Sequence, residues 1–206
     1  MSTALDLAQL LPGFVDPTRE SQSAFRAIMN ATARPGTLAD LAAAPAPPEG
    51  LSRAAGAVAL TLIDADTPLW LDPAWHGTPI ETWLRFHCTC PLADAPATAA
   101  FALIADPAAM PPLAAFNQGD ARYPDRAATL ILQLPSLTGG PALSLEGPGI
   151  ASRTPAAPQG LPSGFWDARA DLVAHFQFGI DLMLCAQHHL LSIPRTTRVT
   201  EISKGA

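Results

Sequence analysis

Two short segments place an arginine where its charge needs a partner: Leu84-Arg85-Phe86-His87 and Ile193-Pro194-Arg195-Thr196-Thr197. An arginine on an exposed polar face needs no explanation. One set between leucine and phenylalanine must aim its planar fork at a carboxylate, a backbone end or an anionic ligand. Arg34, in Ala33-Arg34-Pro35-Gly36, shares this setting through its neighbouring proline. Arg195 is followed by two hydroxyls, Thr196 and Thr197, and by successive amides just past a strand end, a composition that grips phosphate or phosphonate oxygens. Two readings stay open: an ion pair with one of the eighteen acidic residues, or a local anion site. His87, beside Arg85, is the candidate acid or base.

Other constellations are less pointed. His87-Cys88-Thr89-Cys90 offers soft donors, and Cys185 with His188 and His189 is the nearest second cluster. A structural zinc site takes four ligands, usually as two pairs, whereas buried thiols commonly pack as small hydrophobes. No metal ligand is assigned from the sequence. Asp64 and Asp66 could act as an acid/base or magnesium pair, yet alternate acids in Asp64-Ala65-Asp66-Thr67 are also ordinary turn formers. Trp70, Trp75 and Trp83 read as core or interface anchors, with base stacking the alternative. There is no Gly-x-x-x-x-Gly-Lys-Ser/Thr loop, and Gly139, Gly140, Gly147 and Gly149 fall between strands rather than at a strand-to-helix junction. A Schiff-base enzyme needs a lysine in its pocket, and the single lysine, Lys204, is the third residue from the end. No cofactor is expected.

The elements that would position these residues follow from pattern. Ser21 to Thr32 carries Ala24, Phe25, Ile28 and Met29 at helical spacing, starts near Asp16-Pro17-Thr18 and stops at Arg34-Pro35-Gly36. Ala54–Ile63 and Pro68–Leu71 are apolar runs joined by the Asp64–Thr67 turn, which predicts a hairpin. Pro79 to Phe86 reads as a helix capped by Thr78, with His87 and Cys88 at its end. Ala99–Ile104, Ala128–Leu134 and Ala142–Leu145 read as strands, with Leu137–Pro141 turning between the last two, and Met110–Asn117 as a short helix. Phe165–Phe176 is a helical pattern. Gly179–Leu184 and Leu190–Pro194 then close the fold around a Gln187-His188-His189 turn. Irregular alternation of strands and helices points to an α/β fold, a mixed β-sheet flanked by helices.

Composition bounds the rest. The 206 residues suit one domain, 1–206, with a core over about 18–200 and short tails. With 49% hydrophobic and 15% charged residues, polar cover is thin and an apolar face is left for a partner. A net charge of -6 offers no basic face, so no nucleic-acid partner is expected. Met1 to Leu11 lacks a signal-peptide pattern and no apolar run approaches membrane-spanning length, so a cytoplasmic protein with free thiols and no membrane partner is the expectation.

The chain also resembles the PhnH family of bacterial carbon-phosphorus lyase subunits. The resemblance rests on seven ordered blocks: Phe25-Arg26 with Ala33–Gly36, Leu60–Leu71, Leu84–His87, Ala128–Gln133, Leu143–Ile150, Phe178–Leu182 and Ile193–Thr197. It implies a homodimer whose fold resembles the large domain of PLP-dependent transferases without a PLP site. It further implies membership of a core complex that moves an alkylphosphonate onto the ribose of ATP in place of adenine, before another subunit cleaves the carbon-phosphorus bond. Family members have a suspected ligand site near the dimer interface, to which Arg34, Arg85, His87, Arg195, Thr196 and Thr197 are assigned here. The family pattern is weakest at Ala42–Gly50 and Ser152–Gly164. The competing readings are a stand-alone enzyme, with His87 as acid/base and Arg85 and Arg195 holding a phosphonate, and a small-molecule sensor outside any complex.

Overall fold

The computed structural model describes residues 10–174 and 177–202. Lys204 and residues 175–176 of the predicted Phe165–Phe176 helix lie outside the described residues. Four strands, β2 (Leu69–Leu71), β3 (Phe101–Ile104), β4 (Thr129–Gln133) and β7 (Asp181–Ala186), run parallel as consecutive neighbours in a six-stranded sheet, with β2 at its edge. β8 (His189–Ile193) returns antiparallel to β7, and β1 (Leu38–Asp40) pairs antiparallel with β8, giving the order β1-β8-β7-β4-β3-β2. The central strands are continuous apolar runs because both faces are covered, as parallel strands require. Along β4, Leu130 and Leu132 enter one core cluster and Ile131 the other, alternating with the strand's period of two. Each such fully buried side chain stabilises the fold by about 2 kcal/mol.

One face is covered by α1 (Pro17–Ala33), α2 (Arg53–Leu62) and α3 (Pro79–Cys88). The opposite face packs on α4 (Phe165–Val173) and on an antiparallel three-stranded sheet, β6 (Thr154–Ala156), β5 (Leu143–Glu146) and β9 (Arg198–Glu201). The α1 and α3 starts follow the sequence signals. The Asp16 carboxylate accepts from Arg19 N at 3.1 Å with Pro17 at the first helical position, and Thr78 Oγ1 accepts from Ile80 N at 3.3 Å with Pro79 likewise.

The hairpin expected from Ala54–Leu71 is corrected. Ala54–Leu62 is helical, with Ser52 Oγ capping Ala55 N at 3.2 Å, and β2 pairs in parallel with β3. An alanine-rich run buried on nearly every side has no period to betray it, and its length and alanine content decide for helix. Asp64–Thr67 is the turn between α2 and β2. The Asp64 carboxylate accepts from Thr67 Oγ1 at 2.6 Å and Asp66 N at 3.1 Å, contacts that hold its pKa below the ordinary value, so the turn-forming role of this pair is observed. A second correction concerns Leu137–Pro141, which joins β4 to a strand of the other sheet rather than to a hairpin partner. Met110–Asn117 contains a single 3-10 turn, Leu113–Ala115, and the α4 helix ends at Val173. Trp70, Trp75 and Trp83 are buried, which makes them core side chains. Among the described residues no helix is long and apolar enough to cross a membrane.

Candidate functional site

The segment after β8 is held shut by two arginines. Arg195 donates through Nε and Nη2 to the Asp181 carboxylate, the latter at 2.5 Å, while its backbone N reaches Asp181 Oδ1 at 2.7 Å and Nη1 reaches the Pro124 carbonyl at 2.7 Å. Asp181 opens β7, directly beside the chain end that carries Arg195, because Leu182 pairs with Ile193. Of the two readings left open for Arg195, the ion pair is therefore the one observed in this chain.

Arg169, on α4, was not singled out in the sequence. It is fully buried, four residues after Phe165 and three after Trp166, so it occupies the helix's apolar stripe. Its guanidinium donates to the carbonyls of Thr197 at 3.0 Å and Pro194 at 2.7 Å, spanning the turn that contains Arg195 and Thr196. Burial pulls its pKa down to about 10, with nearby Asp181 acting in the opposite direction. The signal available beforehand was an arginine in phase with two aromatic residues.

Arg34 and Thr196 remain exposed, whereas Thr197 is fully buried. Arg34 caps the end of α1, its N–H donating to the Asn30 carbonyl. The β5–β6 connection presses between these places. A side chain on Gly149, at φ 81°, would collide with the Ala33 carbonyl, and one on Gly147 would meet the Thr196 carbonyl. Arg34 and the Arg195–Thr197 turn are thus packed around one glycine-bearing loop.

Arg85 and His87 sit elsewhere, in the last turn of α3. The Arg85 side chain is 62% exposed and reaches Glu81 on the preceding turn at 3.5 Å, against 16% exposure for Arg195. His87 is half-buried, edge-on to Trp83 and Phe86, and its Nε2 lies 3.0 Å from the Leu11 carbonyl. A carbonyl only accepts, so Nε2 carries the proton in that contact. No hydrogen bond or ion pair among the described residues joins Arg85 or His87 to Arg34, Arg195, Thr196 or Thr197.

Below Arg85, Cys88 and Cys90 are buried against one another. Their mutual hydrogen bond lowers the pKa of Cys90, with the Arg85 charge a smaller influence in the same direction, and together with burial it raises that of Cys88. Cys185 is buried in the core beneath the helices, its pKa raised by desolvation. The carboxyl ends of the parallel strands, where open α/β sheets often bind ligands, are occupied by structural ties. Asp72 accepts from Ala74 N and Ala105 N, and the Gln133 amide bridges Ser52 N and the Gly50 carbonyl.

Residues 12–200 match the family model described as bacterial phosphonate metabolism protein (PhnH). The chain is 44% identical over 186 residues, 90% of its own length and 93% of the relative's, to the alpha-D-ribose 1-methylphosphonate 5-triphosphate synthase subunit PhnH of Rhizobium meliloti (strain 1021). It is 32% identical over 189 residues, 90% of this chain and 87% of the relative, to the putative C-P lyase subunit protein HtxG of Stutzerimonas stutzeri. On a match that spans nearly every described element, the chain belongs to the PhnH family.

Proposed function

We propose that the chain is a subunit of a carbon-phosphorus lyase core complex in organophosphonate catabolism. In that role it supports transfer of an alkylphosphonate onto the ribose of ATP before the carbon-phosphorus bond is cleaved by another subunit. The observation that carries this reading is the near full-length identity to a relative named as a synthase subunit. The side-chain geometry favours a role without independent turnover. The His87 Nε2 proton is committed to a backbone carbonyl, and the Arg195 fork is neutralised by Asp181.

For the ligand-binding set Arg34, Arg85, His87, Arg195, Thr196 and Thr197, the proposed division is that Arg195 and Thr197 shape the site, Arg34, Thr196 and Arg85 present polar atoms outward, and His87 lines the Arg85 end. Arg34 with Thr196, and Arg85 on α3, belong to different parts of the protomer, so a homodimer is the proposed means of bringing them to one ligand. The same reading takes the chain as a single domain with its core over about 18–200, cytoplasmic, and related to the large domain of PLP-dependent transferases. The run of parallel strands and the lack of any lysine before Lys204 support that kinship without a cofactor site.

The test reconstitutes the core complex with and without this chain and measures adenine release from ATP in the presence of methylphosphonate. The expected result is release only by the complete complex and none by the isolated chain. Adenine release by the isolated chain, or full activity of a complex lacking it, overturns the proposal.

A further inference from the structure

Asp40, His188 and His189 meet where β1 lies against the β7–β8 hairpin, apart from the arginine segments. Asp40 and His189 are paired across the β1–β8 ladder, and Leu41 N donates to the His188 carbonyl at 2.8 Å. One ligand atom from each of the three side chains lies within 4.8 Å of the other two, the one such group of three among the described residues. Neighbours on a regular strand point to opposite faces. Here the two imidazoles lie side by side, their centroids 4.1 Å apart, because the chain reverses at Gln187 with φ 52°. Glycine is the usual residue for a positive φ in a two-residue hairpin loop, and a side chain there costs on the order of 1 kcal/mol. Cys185, the thiol nearest in sequence, points into the core beneath the helices.

We propose that Asp40, His188 and His189 form a binding site for a divalent transition metal, with Zn2+ the ion its donors suit. Two imidazole nitrogens and one carboxylate oxygen match borderline ions, whereas calcium and magnesium take oxygen ligands throughout. Zinc–nitrogen and zinc–oxygen bonds of about 2.0–2.2 Å put tetrahedral donors about 3.4 Å apart. The three donors close to that spacing by small side-chain rotations, which their partial exposure allows. The carboxylate is already oriented, since Asp40 Oδ1 accepts from Ala42 N at 2.8 Å, a support of the kind that steadies metal ligands. Three protein ligands leave a fourth position for water or a small oxyanion. A cleft of about 240 Å3 that shares His189 and is lined by Ser136 and Thr138 lies alongside to receive it. The site stands independently of membership in any complex.

The experiment uses tag-free, chelator-dialysed full-length chain titrated with zinc chloride by calorimetry. One equivalent is expected to bind with a dissociation constant on the order of 1 μM. His188→Ala and His189→Ala should each weaken binding at least about tenfold, and Asp40→Asn, which can still accept from Ala42 N, should weaken it less. In the unsubstituted protein, zinc should shift the imidazole nitrogen resonances of His188 and His189, a readout that needs no variant to fold. Cobalt(II) substitution should give visible bands without thiolate charge transfer. Absence of binding heat, unmoved imidazole resonances, affinity retained in both histidine variants, or a thiolate-cobalt band would each overturn the site.

Discussion

The turn after β8 and the last turn of α3 both set an arginine among apolar residues, yet they handle its charge in opposite ways. At the turn, Arg195 is closed onto Asp181 and the Pro124 carbonyl, and Arg169 clamps the Pro194 and Thr197 carbonyls from beneath. At α3, Arg85 reaches only Glu81, four residues back, and stands beside the exposed ring of Phe86. The difference follows from what surrounds each backbone. The turn joins the two sheets and directs the Thr197 side toward the interior, where carbonyls beyond the reach of water take arginine donors. A helix end at the surface has no such debt, and its arginine stays available to something outside the chain.

The largest expected effect lies in the closed region. Arg169→Ala removes the donors of two carbonyls in the interior and leaves a cavity, and should destabilise the isolated chain by about 3–5 kcal/mol. Arg169→Lys should recover little, because an ammonium cannot span both acceptors as the fork does. Thermal or denaturant unfolding of the purified chain checks this, and a loss under about 1 kcal/mol would mean that the turn holds without its clamp. Linkage gives a further sign. The folded pKa of Arg169, about 10, lies below its unfolded value, so the unfolded state binds more protons as pH rises through 10. The charge therefore costs stability at neutral pH, and that cost is relieved only at strongly alkaline pH.

Arg195→Ala ranks second. Asp181 is partly solvated, so the expected loss is about 1–3 kcal/mol, and a double-mutant cycle with Asp181→Asn should show coupling of about 1–2 kcal/mol. Additive effects would break the pairing on which the contrast with Arg85 rests.

The legibility of these regions in the sequence follows the same physics. The starts of α1 and α3 were readable because caps and a first-turn proline are local signals, and the β7–β8 hairpin because two apolar strands flank a polar turn. The α2 helix was not, since burial on nearly all sides erases the amphipathic period. Nor could Leu143–Leu145 reveal which sheet it joins, because strand pairing is a long-range choice that Gly139-Gly140 leaves open. Of the candidate site, Arg195 was visible as a residue needing a partner, but the identity of Asp181 was not, because partners meet in space. Arg169 stood among Asp167 and Asp171 and looked like a solvated helix charge unless its phase with Phe165 and Trp166 was weighed. Asp40 joins His188 and His189 only through the β1–β8 register.

The smallest effect on the isolated chain belongs to Arg85→Ala, and there the comparison is most sharply tested. An exposed pair between Glu81 and Arg85 contributes about 0.3–0.5 kcal/mol, so the unfolding midpoint should hardly move. The Cys90 thiol should become slightly less acidic, because one of the influences lowering its pKa is the Arg85 charge, and its alkylation near neutral pH should slow accordingly. The same substitution in a reconstituted core complex should behave differently. A partner subunit or a bound anion that covers Arg85 removes water from it, and losing a charge paired in that setting costs about 2–5 kcal/mol, mostly as faster dissociation. Unchanged stability with weakened capture assigns the open arginine to an interface. Unchanged stability with unchanged capture and unchanged phosphonate affinity makes it a solvated helix charge, and the two arginine segments then differ only in burial.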